Sequence, residues 1–196
     1  MELYISARIS PKLRGLLLEE PADYRKELFS VGANALAIGL QKYLRQEAGR
    51  RHKWANLLGA KPTGLIRKGA ARITAHASAS EGTVSVPIVG IGRAFHDLTI
   101  KPHNWDYLTI PTNGAAYGHR AKELRRMGWT IFRPKDKDIL MGRRRGEKGD
   151  AVTLYALKKS VVVRRDRTLL PTDDQVSATI TNAMARHHAR KVVSAA

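Results

Sequence analysis

Several residue types and patterns are missing or scarce in this 196-residue chain, and each absence excludes a class of protein. Cysteine is absent, so the chain forms neither disulfides nor thiolate metal sites. No apolar run is long enough to span a bilayer and no signal-peptide pattern is present, so we expect no membrane partner. Aromatic residues make up only 6% and are not spaced regularly among the basic ones, which argues against stacking on single-stranded nucleic acid.

Acidic residues are also scarce, because 17 Asp and Glu stand against 35 Lys and Arg and leave a net charge of +18. The excess is uneven: residues 1–41 sum to zero, whereas 42–72 carry +8, 101–145 carry +7 and 158–196 carry +5. This charge exceeds what solubility requires and indicates a polyanion such as nucleic acid near the positive segments. A solvated basic surface and a protein partner with an acidic face are the alternatives.

Motifs of catalysis and of cofactor binding are missing as well. There is no Gly-x-x-x-x-Gly-Lys-Ser/Thr phosphate loop, and Gly90-x-Gly92 is too short for a dinucleotide fingerprint. Adjacent residues such as His187 and His188 point about 100° apart on a helix and cannot chelate one metal. The other histidines show no metal-ligand spacing. We therefore expect no enzyme activity, no cofactor and no metal.

The one candidate for metal-dependent chemistry is the stretch Asp136-Lys137-Asp138. A nuclease needs carboxylates that converge on a divalent metal, usually beside a lysine. Asp136 and Asp138 could share one face of a strand, with Asp97 or Asp106 as a third ligand. A charged start of a strand is the simpler interpretation, and the nuclease is the less favoured alternative.

The hydrophobic periodicity predicts an α+β fold with a mixed, mostly antiparallel sheet, a long N-terminal helix, shorter central helices and a C-terminal helix. The long helix covers 22–48, and its Gly32 and Gly39 lie on one side, where we expect close approach by another element. Composition and patterning show no boundary, so we predict a single domain over 1–196.

Capping signals mark the starts of two further helices. Thr63 is the expected N-cap of a central helix whose inner face begins with Leu65 and Ile66. Thr172-x-x-Gln175 is the pattern of a capping box before the C-terminal helix.

Strands are predicted from period-two alternation and β-branched runs. Pro87 demotes the run 83–91 to an edge strand or a bulge. The runs that end at Pro102 and Pro111, with a helix that stops at Gly128, are interpreted as one packing unit of two strands, a turn and a helix. The remaining predicted strands are residues 2–10, 129–133, 137–141, 151–157 and 160–163.

An arginine-rich hairpin is predicted near 137–157. Its glycine-flanked tip cannot bury itself, so we expect it to be mobile or bound to a partner. The candidate contacts to DNA or to a protein partner are this tip and the other basic runs: Arg143, Arg144, Arg145, Lys148, Arg50, Arg51, Lys53, Arg164 and Arg165.

Several motifs across residues 55–175 resemble those of a family of minor virion proteins of tailed bacteriophages, the neck or tail-completion proteins. The motifs are Lys61-Pro62-Thr63-Gly64-Leu65, Thr99-Ile100-Lys101-Pro102, Leu108-Thr109-Ile110-Pro111, Ala116-Tyr117-Gly118 and Leu169-Leu170-Pro171. The resemblance implies an α+β subunit without catalytic residues that assembles as a ring at the head–tail junction or the tail end.

The resemblance and the charge together predict a structural virion protein, made in the host bacterial cytoplasm. Its expected partners are other copies of itself in a ring, neighbouring neck and tail proteins, and double-stranded DNA passing through the channel. The contacts to DNA would be to phosphates and independent of sequence. The alternative from another class is a stand-alone, sequence-independent nucleic-acid-binding protein, and a metal-dependent nuclease is less favoured.

Overall fold

A computed structural model describes residues 3–6, 20–48, 53–88, 90–147 and 149–195 of the chain. The chain divides into two compact units by contact: Met1–Gly49, Gly64–His96 and Arg165–Ala196 form the first unit, and Arg50–Thr63 and Asp97–Arg164 form the second. Each unit has a core of its own and is described by itself. The single domain over 1–196 stays a prediction.

Helices and antiparallel strands are both present, so the predicted α+β class is confirmed. In chain order the elements are β1 (Leu3–Ser6), α1 (Ala22–Ala48), α2 (Lys53–Leu57), α3 (Leu65–Ala70), β2 (Thr74–Ala77), β3 (Gly82–Val86), β4 (Leu98–Ile100), β5 (Leu108–Pro111), α4 (Ala121–Arg126), β6 (Trp129–Phe132), β7 (Ile139–Arg144), β8 (Val152–Lys158), β9 (Val161–Val163) and α5 (Asp173–Ala195), with 3₁₀ turns at Ile91–Ala94 and Arg167–Leu169.

The long helix α1 organises the first unit. The expected helix over 22–48 is confirmed, and its apolar stripe buries Leu36, Leu40 and Leu44 in the main core of that unit. A Cβ atom added to Gly32 would lie 3.0 Å from Ile180 Cγ2 and 3.1 Å from Met184 Sδ of α5, so the expected close approach is confirmed there. At Gly39 the nearest atom is Thr179 Cγ2 at 3.7 Å, an ordinary contact.

A small antiparallel sheet packs on α1, with strand order β1-β3-β2. The strand β3 is central, since Val84 pairs with Ile5 on one side and with Ala75 on the other. The expectation of an edge strand or bulge at Pro87 is wrong, because β3 ends at Val86 and never includes the proline. The strand β2 was missed, because its four residues carry no strong alternation of their own.

The start of α3 corrects another expectation. The N-cap is Gly64 with φ 67°, and Thr63 makes no side-chain cap. A glycine suits this position because the left-handed region strains residues with a Cβ atom. Leu65 is also 53% exposed, so the inner face of the helix starts at Ile66 and not at Leu65.

The helix α5 begins as the sequence predicts. The backbone N–H of Gln175 donates to Thr172 Oγ1 at 3.3 Å, and the N–H of Thr172 donates to Gln175 Oε1 at 3.1 Å. This reciprocal pair is the predicted capping box. Farther along the helix, Lys191 Nζ donates to Glu27 Oε2 of α1 at 2.8 Å, so a polar contact joins α1 and α5 beyond their apolar face.

The second unit contains a four-stranded antiparallel sheet in the order β5-β8-β7-β6, with α4 packed on one face. Its core is formed around Leu154 and Tyr155, which are both buried although neighbours in a regular strand face opposite sides. A register shift lets Leu140 pair with Tyr155 and Met141 with Thr153, so Leu154 is the extra residue of a β-bulge.

The buried Tyr155 also carries a polar contact in this core. Its hydroxyl donates to the backbone carbonyl of His119 at 2.9 Å. Burial, with a smaller contribution from the charge of Glu123, raises the pKa of Tyr155 to about 12. The phenol is therefore a neutral hydrogen-bond donor at neutral pH.

A separate two-stranded ribbon pairs β4 with β9. In its register, Leu98 lies opposite Val163 and Ile100 lies opposite Val161. The two runs that end at Pro102 and Pro111 do form strands, but β4 and β5 belong to different sheets. The expectation that they form one packing unit with the following helix is therefore wrong, because β4 pairs with β9 and β5 pairs with β8, which are both distant in sequence.

Candidate nucleic-acid interface

The arginines of the predicted hairpin tip are paired with a third strand, β6. The strand β7 continues beyond its last pair with β8, which joins Gly142 to Val152. Its last two residues, Arg143 and Arg144, lie opposite Thr130 and Trp129 of β6. The backbone N–H of Arg145 then donates to the carbonyl of Gly128 at 2.8 Å. The predicted strand 137–141 is therefore extended in the structure to Arg144, because β6 provides a third strand that pairs with Arg143 and Arg144.

The same pairing brings in arginines from a second element. The helix α4 ends with Arg125 and Arg126, and the chain turns at Gly128, where φ is 87°, before it enters β6. Cations favour the negative end of a helix, which explains arginines in its last turn. Because Gly128 contacts Arg145 directly, both groups lie at one end of the second unit. We call this set the arginine cluster: Arg125, Arg126, Arg143, Arg144 and Arg145.

The arginine cluster has little internal compensation of its charge. All its side chains are exposed. Arg144 lies 3.6 Å from Glu147, but both side chains are about 60% exposed, and such pairs contribute little. Arg125 donates to the carbonyl of Ile131 at 3.5 Å. Within the described residues, Arg126, Arg143 and Arg145 make no ion pair.

Neighbouring residues of a strand point to opposite faces, so Arg143 and Arg144 cannot present one flat surface. Arg143 shares the face of Thr130, whereas Arg144 shares the face of Trp129, on which α4 packs. The cluster therefore surrounds the end of the β6–β7 pair. Guanidinium groups arranged in this way can bind oxygens from more than one phosphate, since each offers a planar fork of donors.

The charge of the whole chain is concentrated in the unit that carries this cluster. The second unit holds 19 of the 35 Lys and Arg residues and 7 of the 17 Asp and Glu residues, a net charge of +12. The first unit, which is longer, has a net charge of +6. A polyanion would therefore approach the second unit preferentially.

Of the other predicted contact residues, the structure describes the side chains of Arg164 and Arg165 only. Arg50, Arg51 and Lys148 lie outside the described residues. Lys53 begins α2, and its side chain is outside the described part. Arg164 and Arg165 follow β9 and are exposed, but they belong to different units. Arg165 Nε also donates to the carbonyl of Ala94 at 3.3 Å, so this arginine supports the fold of the first unit.

The acidic stretch that suggested a nuclease forms the turn between β6 and β7. Asp136 has φ 59°, a conformation of tight turns, and precedes the strand. Asp138 accepts a hydrogen bond from Arg133 at 2.9 Å. The expectation that the two carboxylates share a strand face is wrong, because both precede β7, which begins only at Ile139. Across the described residues, no group of three or more metal-ligating side chains could hold a metal ion.

Sequence reasoning missed Arg125 and Arg126 as members of the site. The available signal was two adjacent arginines directly before a glycine that ends a helix. That pattern alone is typical of an ordinary helix terminus. Only the pairing of β6 with β7 brings these two arginines to the same end of the unit as Arg143 and Arg144.

Within the described residues, no helix has the length and apolar character needed to cross a membrane. Known protein families, curated proteins and solved structures show no match to this chain.

Proposed function

We propose that this protein is a non-catalytic structural subunit of a tailed-bacteriophage virion, which assembles as a ring at the head–tail junction or tail end and contacts double-stranded DNA. The observation that carries the DNA contact is the arginine cluster on a unit with a net charge of +12. The position in the particle and the neighbouring neck and tail proteins rest on the sequence motifs.

The contact suits a polymer that has to move through a ring. Arginines bind phosphate oxygens, which every sequence presents alike, so the interaction does not select a base sequence. Counterion release makes such binding strong at low salt and weak at high salt. A ring adds the charge of all its subunits around the channel, whereas each subunit holds the DNA only loosely.

The DNA contact is tested by replacing Arg143, Arg144 and Arg145 with Ser in the full chain. Affinity for duplexes of unrelated sequence is expected to fall by similar factors, because only phosphate contacts are lost. The slope of log K against log salt is expected to become shallower by about 0.9 for each phosphate contact removed. Fluorescence anisotropy of labelled duplexes over a salt series measures both quantities.

A matched control separates this site from net charge alone. Arg67, Lys68 and Arg72 are exposed basic residues of the first unit, and replacing them with Ser removes the same amount of charge. This variant is expected to bind duplex DNA almost as tightly as the parent protein. Equal losses for the two triple variants would contradict a specific role for the arginine cluster.

The arginine cluster also supports a second candidate, a stand-alone DNA-binding protein that forms no ring. Electron microscopy of the purified protein, and of particles labelled with an antibody against it, separates the two. A closed ring or a label at the neck or tail supports the virion subunit. A monomer that binds DNA and is absent from particles supports the second candidate, and metal-dependent hydrolysis abolished by Asp136→Ala would contradict both.

A further inference from the structure

The loop 101–107 of the second unit carries the most exposed large apolar side chain of the described residues. Trp105 is 82% exposed, although a tryptophan ring is costly to leave in water. Tyr107, in the same loop, is different, because the guanidinium of Arg133 lies 5.0 Å from the centre of its ring. The face of Trp105 is thus available to a ligand, whereas a cation covers Tyr107.

Strand pairing ties this loop to two lysines that are distant in sequence. The loop starts after Ile100, which pairs with Val161, and ends before Leu108, which pairs with Lys158. Both ends are therefore fixed to the segment 158–161, which contains Lys158 and Lys159. Both lysines are exposed, and so is Lys101 at the start of the loop.

We propose that the loop 101–107 and Lys158–Lys159 form a second nucleic-acid contact, in which Trp105 stacks on an unpaired base and the lysines bind the flanking phosphates. Proteins hold single strands without selecting their sequence by combining basic residues with aromatic rings on which bases stack. The irregular spacing of aromatic residues argues against a long series of stacked bases, whereas one exposed ring is enough to stack a single base. A continuous duplex cannot supply this ligand, because its bases are already stacked on one another. The ligand class is therefore a single-stranded segment or a frayed end, beyond the duplex contact of the arginine cluster.

A second copy of the chain fits this surface less well. Tryptophan is common in protein interfaces, but lysine is depleted there. A second copy would bring another unit with a net charge of +12 against the three lysines. Asp106, which is next to Trp105, offsets only part of the charge of these lysines. A nucleic acid neutralises the same lysines, so charge complementarity favours it.

The test compares Trp105→Ala and Trp105→Phe with the parent in the full chain, using labelled oligothymidylate and a labelled duplex as probes. Stacking of one base predicts about 5- to 150-fold weaker binding of oligothymidylate by Trp105→Ala. Trp105→Phe keeps an aromatic face and is expected to stay much closer to the parent. Leu57→Ala is the matched control, because Leu57 is 76% exposed in the same unit but lies outside the loop.

Duplex affinity separates this inference from the proposed function. Trp105→Ala is expected to leave duplex binding unchanged, whereas the triple arginine variant is expected to weaken it. Unchanged affinity of Trp105→Ala for oligothymidylate overturns the stacking site, whatever the duplex result. An oligomer that dissociates in Trp105→Ala, by sedimentation velocity, with single-strand affinity intact, overturns it in favour of a contact between copies.

Discussion

Two glycines seven positions apart in α1 offer a sharp test of the packing between α1 and α5. Replacing a helical glycine with alanine removes backbone entropy from the unfolded chain and stabilises the protein by about 1 kcal/mol when the new methyl group has room. Gly39 has that room, because its nearest neighbour would lie 3.7 Å from the new Cβ atom. We therefore expect Gly39→Ala to raise the free energy of unfolding by about 1 kcal/mol.

Gly32 lacks that room. Its new Cβ atom would lie 3.0 Å from Ile180 Cγ2 and 3.1 Å from Met184 Sδ, so α5 has to shift or repack. Overpacking of this kind costs about 1–3 kcal/mol. Since the gain in helix propensity offsets about 1 kcal/mol of this cost, Gly32→Ala is expected to range from neutral to about 2 kcal/mol destabilised.

Urea denaturation followed by circular dichroism measures both variants against the parent. The slope of unfolding free energy against urea is expected to stay constant, so that the midpoint reports stability directly. The two variants should differ by about 1–3 kcal/mol. Equal stabilisation by both alanines would show that α5 does not approach Gly32 closely and would refute the packing argument. Gly32→Leu extends the test, since its larger side chain should destabilise more than alanine does.

Three further predictions concern polar contacts. Tyr155→Phe removes the hydrogen bond to His119 and is expected to cost about 1–2 kcal/mol in chemical denaturation at neutral pH. Because burial raises the pKa of Tyr155 from 10.0 to about 12, the parent loses stability as the pH rises through this range, and the Phe variant should lose less. Thr172→Ala breaks the capping box and should cost about 1 kcal/mol by the same measurement, whereas an unchanged midpoint would exclude a role for the cap. The hydrogen bond from Lys191 lowers the pKa of Glu27 below 4.5. The stabilisation by this ion pair is therefore present above pH 4.5 and disappears as the pH falls through the lowered pKa. Glu27→Gln should therefore be less stable than the parent at neutral pH and converge with it in acid, and a gap that is independent of pH would contradict the ion pair.

Interactions within a few residues of one another were predictable from the sequence. The periodicity of α1 extends over its 27 residues, so the hydrophobic stripe identifies the helix and its buried face. The capping box before α5 likewise joins residues three positions apart. By contrast, Thr63 has the right residue type for a cap but is not one, because Gly64 takes a left-handed conformation and begins the helix itself.

The sequence could not predict which strands pair, and therefore it could not predict which arginines come together in the fold. Short β-branched runs such as β4 and β9 have similar patterns, and several pairings satisfy their hydrogen bonds equally well. The choice depends on burial and register summed over the whole unit. The arginine cluster shows the consequence, since Arg126 and Arg143 come to one end of the unit only because β6 pairs with β7.

By itself, the sequence determined the α+β class, the long helix, the start of the C-terminal helix and the strong positive charge, because composition and short-range periodicity carry that information. Only the tertiary structure decided that the arginines lie on paired strand and helix ends, that Asp136 belongs to a turn, and that Trp105 is tied to the segment that contains Lys158. These features depend on hydrogen bonds between residues far apart in the chain. Their free energy depends on every other pairing in the sheet, and no local pattern records it.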